Sequence, residues 1–293
     1  MKKTSIFAAA IALLAASCSN ESEELETETE TLVPVTVQVN DFSVSMEDPN
    51  TRATDVASYD GIKALTLAFY DTNGTEVYKT TQQKSDNTTY TTFGQFKLNL
   101  HKGSYTMVAL GYGLQDGDVF TLTSPTQAAF TGDHPRETFT YTQSVEITSN
   151  TAVTLTATLD RIVSKLLVQS TDNRVAGAQT VKVTFAAGGK SFNPTTGLAT
   201  VNTGFVNIVP ISSEVGTTSR SANYVFLNTN EQNMDITIDV LDAQGTSLTH
   251  RVIPNVPFMR NRCTTLTGPL YSAGVTSTFQ VNTAWQPMEE VSF

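Results

Sequence analysis

Three histidines, His101, His134 and His250, are the first side chains to weigh for catalysis or metal binding. They lie in a His-Lys-Gly turn, a Gly-Asp-His-Pro loop and an alternating stretch, and no two share metal-ligand spacing. There is no His-Glu-x-x-His pair on a helix and no Gly-x-Ser-x-Gly nucleophile elbow. Asp116-Gly117-Asp118 brings two carboxylates together but lacks the run of oxygen ligands that calcium needs, so it reads as a turn. Glu289-Glu290 reads as solvated edge charge that discourages wrong strand pairing. Cys263, inside VPFMRNRCTTLTGPLY, reads as a structural thiol. No catalytic residue, metal site or cofactor is expected, and the chain is not read as an enzyme. One cation stands apart: Arg52, in EDPNTRATDVAS, is the only arginine before Arg136. It sits among small and polar residues with Pro49 nearby and no apolar cluster.

The elements that must position these residues are strands. The chain has 293 residues, and only 16% of them are charged, which leaves room for a sizeable core. Thr, Val, Ser and Asn are abundant, a composition that suits pleated sheets. In VPVTVQVNDFSVSM (33–46), Val33, Val35, Val37 and Val39 share one face and Asn40-Asp41 marks a bend or bulge. IKALTLAFY runs through Asp71-Thr72-Asn73-Gly74 into TEVYKTT, a hairpin signal. FGQFKLNL and SYTMVALGY read as another pair around His101-Lys102-Gly103, and 144–159 adds two strands. After Arg161 come IVSKLLVQS, TVKVTFAAGG, NYVFLNT and MDITIDVLDAQGTSLTHRVIP. DITIDVLDAQG echoes LTLAFYDTNG, which suggests two β-units in tandem with a boundary near 160. Short strands separated by turn residues predict sandwiches. The stretch 278–293 alternates and is apolar, so it too reads as strand material. The net charge is −10 and no basic patch occurs, so nucleic acid is not an expected partner.

Residues 1–17 have a basic start, an apolar run too short to span a membrane, and small residues, the layout of a secretory signal. The ending Leu-Ala-Ala-Ser-Cys resembles the lipobox of bacterial lipoproteins, in which the cysteine, here Cys18, is acylated. That implies an outer-membrane anchor through lipid, palmitate included, rather than a spanning helix. With Cys18 acylated, only Cys263 is left, and no intrachain disulfide is possible. Residues 18–32 hold six glutamates in ESEELETETE and read as an acidic tether.

Taken in order, the lipobox, the tether, the early strand 33–46, the Thr-Arg-Ala step at 51–53 and NVPFMRNRCTTLTGPLY resemble the fimbrillins, the subunits of Bacteroides-type surface fimbriae. The resemblance implies an all-β chain of two tandem transthyretin-like sandwiches, 33–160 and 161–293. It implies export to the cell surface as a lipoprotein and cleavage between Arg52 and Ala53 by a trypsin-like protease. Strand 33–46 then leaves, and the groove is filled by a strand of another fimbrial subunit, of the same or a different kind. The candidate groove-fillers are Phe279, Val281, Trp285, Val291 and Phe293. Such a chain would serve as a stalk or tip subunit. Two other readings stay open: an anchor that keeps its lipid and first strand, and a surface glycan-binding lipoprotein with an exposed aromatic platform.

Overall fold

The computed structural model describes residues 31–43, 54–55, 57–85, 92–132, 134–272 and 279–282. Every regular element among them is a strand, and none of them forms a helix long and apolar enough to cross a membrane. The strands are β1 (Val33–Ser43), β2 (Thr54–Asp55), β3 (Ala64–Tyr70), β4 (Glu76–Gln83), β5 (Gln95–Leu100), β6 (Gly103–Tyr112), β7 (Val119–Ser124), β8 (Gln127–Thr131), β9 (Thr138–Ile147) and β10 (Val153–Arg161). They continue as β11 (Ser164–Ser170), β12 (Thr180–Phe185), β13 (Ser191–Asn193), β14 (Leu198–Ala199), β15 (Phe205–Pro210), β16 (Arg220–Val225), β17 (Glu231–Leu241), β18 (Ser247–Met259), β19 (Cys263–Gly268) and β20 (Gln280–Asn282).

In the first half, β4-β3-β6-β9 lie side by side and face β5-β1-β10. The two layers join where β10 meets β9 at Asp160↔Thr140 and Arg161↔Phe139. The alternating apolar residues of both layers converge on one core: Val33, Val35, Val37 and Val39 of β1, Leu65, Leu67 and Phe69 of β3, Phe96 and Leu98 of β5, and Ala157 and Leu159 of β10. That is why period-2 patterning was visible in these segments. β3 is buried on both faces, because Ala64, Ala68 and Tyr70 point into a separate cluster with β8, β13 and Phe226. A strand covered on both sides reads as a nearly continuous apolar run, as ALTLAFY does.

The second half repeats this plan. β15-β12-β17-β18 face β16-β11-β19, with β20 added beside β19. Strand for strand, β11, β12, β15, β16, β17, β18 and β19 take the places of β1, β3, β4, β5, β6, β9 and β10. The parallel pairing seen among the described residues recurs as well, β1 with β10 and β11 with β19. The hairpins β7–β8 and β13–β14 are additions to each plan, and they pair with each other through β8 and β13.

Two sequence expectations need correcting. FGQFKLNL and SYTMVALGY are consecutive strands but do not pair: β5 lies beside β1, while β6 lies between β3 and β9. The turn at 101–102 carries the chain from one layer to the other, and alternation alone does not distinguish such a crossing from a hairpin. The echo between LTLAFYDTNG and DITIDVLDAQG also joins strands that are not equivalent, since β3 corresponds to β12 and β17 to β6. What the two stretches share is a turn. Asp71 Oδ1 accepts from Asn73 N and Thr75 N, both at 2.8 Å, and Gly74 has φ 78°. Asp242 Oδ1 accepts from Gln244 N at 2.9 Å and Thr246 N at 2.8 Å, and Gly245 has φ 79°. Aspartate followed by glycine three residues later is a local solution that hairpins reach independently.

Candidate functional site

The first strand is the feature to which the sequence most directly assigns a task. β1 is bonded on both sides. Its register with β10 runs from Val35↔Val153 to Ser43↔Asp160, with the ladder shifting between Val39 and Asp41, where Asn40-Asp41 predicted a bulge. Its register with β5 runs from Val33↔Leu100 to Gln38↔Gln95. Val33, Val35, Val37 and Val39 are 0%, 1%, 0% and 2% exposed. Neither neighbour is otherwise well paired. β5 has no other strand partner among the described residues, and β10 meets β9 only at its last two residues. β1 is the strip that closes this layer.

The seat is shaped for a backbone at one point. Gly94, with φ 93°, lies so close to β1 that a Cβ there would stand 2.4 Å from the Val39 carbonyl oxygen. Val39 N donates to Gly94 O at 2.8 Å. Gln82 of β4 holds this corner from the opposite layer: its Nε2 donates to Gln95 O, and its Oε1 accepts from Gly94 N, each at 2.8 Å. Nothing in the sequence marked Gln82. Gly94, alone between Phe93 and Gln95, was the one visible sign of a close approach.

Beyond β1, Asp41 and Phe42 pair with Asp55 and Thr54 of β2. Arg52 and Ala53 fall in the connection between these strands, residues 44–53, which lies outside the described residues. Downstream the chain is pinned. Tyr59 Oη donates to Glu137 Oε2 at 2.7 Å, and Glu137 Oε1 is 2.7 Å from Arg161 Nη2. The Arg161 guanidinium covers the Phe139 ring at 5.0 Å, and its Nη1 donates to Asn261 Oδ1 at 3.2 Å. Burial, and then the Glu137 charge, push the Tyr59 hydroxyl well above the usual tyrosine range.

At the other end, Phe279 is 9% exposed and Val281 42%. The two share one side of their strand; β20 pairs antiparallel with β19 at Leu266↔Val281. The Phe279 ring rests where a Cβ on Gly268 would approach within 2.9 Å. Before this segment, Asp172 accepts from Leu270 N, Tyr271 N and Ser272 N at 2.7, 2.9 and 2.7 Å and from Ser272 Oγ at 2.8 Å. Partial burial opposes its ionisation, but the hydrogen bonds outweigh it and hold the carboxyl below its ordinary value. Trp285, Val291, Phe293, Cys18 and Glu289-Glu290 lie outside the described residues.

The side chains first weighed for chemistry are dispersed. His134 Nε2 is 2.8 Å from Ile208 O, and His250 Nδ1 is 2.7 Å from Asp239 Oδ1. Asp118 forms an ion pair with Arg136 at 2.6 Å and caps its own turn through Gln115 N at 2.8 Å. Cys263 is half-buried; burial pushes its thiol up, against the pull of Lys165, which suits a structural thiol. Among the described residues no aromatic side chain is exposed and no cluster of metal-binding side chains occurs.

A model of the family of unknown function DUF6562 matches residues 26–289. The chain belongs to that family. No curated protein matches this DUF6562 chain in sequence. Solved structures share its fold. A candidate adhesin from Bacteroides ovatus is similar with a TM-score of 0.53 at 12% identity, over 85% of this chain and 95% of that one. The fimbrial anchor protein Mfa2 from Porphyromonas gingivalis is similar with a TM-score of 0.52 at 12% identity, over 87% and 98%. A candidate polysaccharide-binding protein from Bacteroides thetaiotaomicron reaches 0.50 at 11% identity, over 87% and 99%. The all-β, fimbrillin-like architecture is therefore the fold of this DUF6562 member; at such identities the likeness speaks for fold alone.

Proposed function

We propose that this chain is a structural subunit of a cell-surface fimbrium, exported as a lipoprotein on Cys18 and matured by cleavage between Arg52 and Ala53. The released β1 is then replaced by the C-terminal strand material of another subunit. The observation that carries this reading is the position of β1. It is a central strand that both neighbours depend on, and it joins the strands that follow it through residues 44–53. One cut there turns an integral strand into a separable peptide. Burying the four valines contributes roughly 6–12 kcal/mol, at about 1.5–3 kcal/mol each, before ordering costs. The vacated groove exposes apolar surface and two unpaired edges, which a strand from another chain can cover. The Tyr59–Glu137–Arg161 pin supports the same reading, because it holds the chain just after the cut and keeps β3 in place.

The glycan-binding alternative calls for exposed aromatic rings, which the described residues lack. The lipid-retaining anchor alternative differs in whether Arg52 is used. Limited trypsin digestion of the purified chain, followed by N-terminal sequencing and size-exclusion chromatography, separates them. A new N-terminus at Ala53 together with oligomers supports the exchanging subunit. A chain that resists cutting at Arg52, or is cut and remains monomeric, rejects it.

A further inference from the structure

The two strand sets differ in one respect that bears on partners. In the second, β19 has a neighbour on each side, β11 in parallel and β20 antiparallel. Its equivalent in the first set, β10, has β1 in parallel, but on its other side only Asp160 and Arg161 are paired among the described residues. Among the described residues, the β10 edge from Val153 to Leu159 therefore has no strand where β20 sits in the second set.

Burial differs in the same way between the two strands. Val153 and Leu155, on the core side of β10, are only half-buried and pack at the margin of the core, while Ala157 and Leu159 farther along are both 0% exposed. On β19, Leu266 is 0% exposed and Gly268 is sealed by the Phe279 ring.

The edge is also undefended. Sheet edges are commonly protected from adventitious pairing by charge or proline. β4 carries Glu76 and Lys79, β5 Lys97, β15 Pro210, β16 Arg220, and β18 Arg251, Pro254 and Pro257. Residues 153–159, VTLTATL, carry neither, and Thr154, Thr156 and Thr158 are exposed. High β-propensity without charge is the composition of a strand that accepts another.

We propose that the free edge of β10 is a second strand-acceptor site, and that it takes the Phe279–Asn282 segment of a second copy of this chain, antiparallel, with Phe279 and Val281 covering Val153 and Leu155. The chain itself shows the mode, since this segment lies antiparallel on the equivalent strand β19 with Phe279 turned to the core. The site does not require β1 to leave, so it is independent of cleavage at Arg52. It supplies a contact between uncut subunits, made by a C-terminal segment that is not seated in a β1 groove.

The test uses the full, uncut chain and a synthetic peptide of residues 276–293 carrying a photo-crosslinker in place of Gln280. With β1 seated, the groove between β5 and β10 is closed to the peptide. The expected result is saturable labelling within residues 153–158. Phe279→Asp in the peptide, which leaves the protein untouched, weakens labelling at least about ten-fold, the scale of one lost apolar anchor. Leu155→Asp in the chain weakens it similarly, with circular dichroism as the check on folding. Labelling confined to β19 or β5, or no saturable labelling, overturns the proposal. Labelling of β10 in a chain that forms no polymer after trypsin would uphold this site and reject the fimbrial exchange separately.

Discussion

Replacing Gly94 by alanine should loosen β1 far more than the same change at Gly74, although both glycines have positive φ, 93° and 78°. At Gly74 a Cβ meets nothing within 4 Å. The cost there is backbone strain alone, about 1–2 kcal/mol for a left-handed residue with a side chain. At Gly94 the same strain applies, and the new Cβ would sit 2.4 Å from the Val39 carbonyl oxygen, so backbone must move. Moving β1 away weakens the Val39 N to Gly94 O hydrogen bond, worth about 0.5–1.5 kcal/mol net. It also partly uncovers Val39, worth about 1–2 kcal/mol. The expected loss is about 3–5 kcal/mol at Gly94, some 2–3 kcal/mol beyond Gly74. Urea unfolding of the uncut variants, with linear extrapolation, measures the difference. Amide exchange of residues 33–39 should rise in Gly94→Ala and stay unchanged in Gly74→Ala. Equal losses in the two variants would refute the claim that β1 is pressed into a seat made for its backbone.

Other perturbations test the surrounding structure. Tyr70 is 1% exposed, its hydroxyl has no hydrogen-bond partner among the described residues, and burial and then Glu76 push its pKa up to about 12. Tyr70→Phe should therefore be neutral or stabilise by about 1 kcal/mol in thermal unfolding, whereas a loss above about 1 kcal/mol would show that the hydroxyl is bonded. Gly268→Ala should displace the Phe279 ring and destabilise by about 1–3 kcal/mol, with faster proteolysis after Tyr271; an unchanged digestion pattern would show that Phe279 is not seated there. Asp172→Asn should cost stability in a pH-dependent way. The lowered carboxyl pKa means that the ionised group's contribution is full above about pH 4 and fades as pH falls through the still lower folded-state value. A difference from the parent chain that grows below pH 4 would contradict this.

Much of this fold was legible where one face of a strand is buried. The parity of Val33, Val35, Val37 and Val39 and the Asn40-Asp41 irregularity both appear in the ladder, because burial on one side imposes period 2 and a bulge resets it. Pairing was less legible. β5 and β6 are adjacent in sequence but lie in opposite layers, and the β1–β10 and β11–β19 pairings are parallel between distant segments, which no local pattern encodes. The short hairpins β7–β8 and β13–β14 escaped notice because their cores, Leu122, Phe130 and Phe192, are supplied jointly by both halves. The strand order of the second half matches that of the first, but the turn that drew attention to a repeat joins non-equivalent strands. At the candidate site, the apolar strand could be foreseen from sequence. Gln82, Asp172 and the Tyr59–Glu137–Arg161 pin could not, since each acts on residues brought near only by folding.

The most direct measurement is mass spectrometry of whatever assembles after cleavage. The purified chain is cut with trypsin, the assembled fraction is isolated by sedimentation and imaged by negative-stain electron microscopy, and its peptides are identified. A parallel sample lacks residues 279–293. The account predicts filaments from the full chain whose subunits begin at Ala53 and lack residues 33–43, and no filaments from the truncated chain. Filaments that retain the β1 peptide, or that form equally well without the C-terminal segment, would contradict strand replacement.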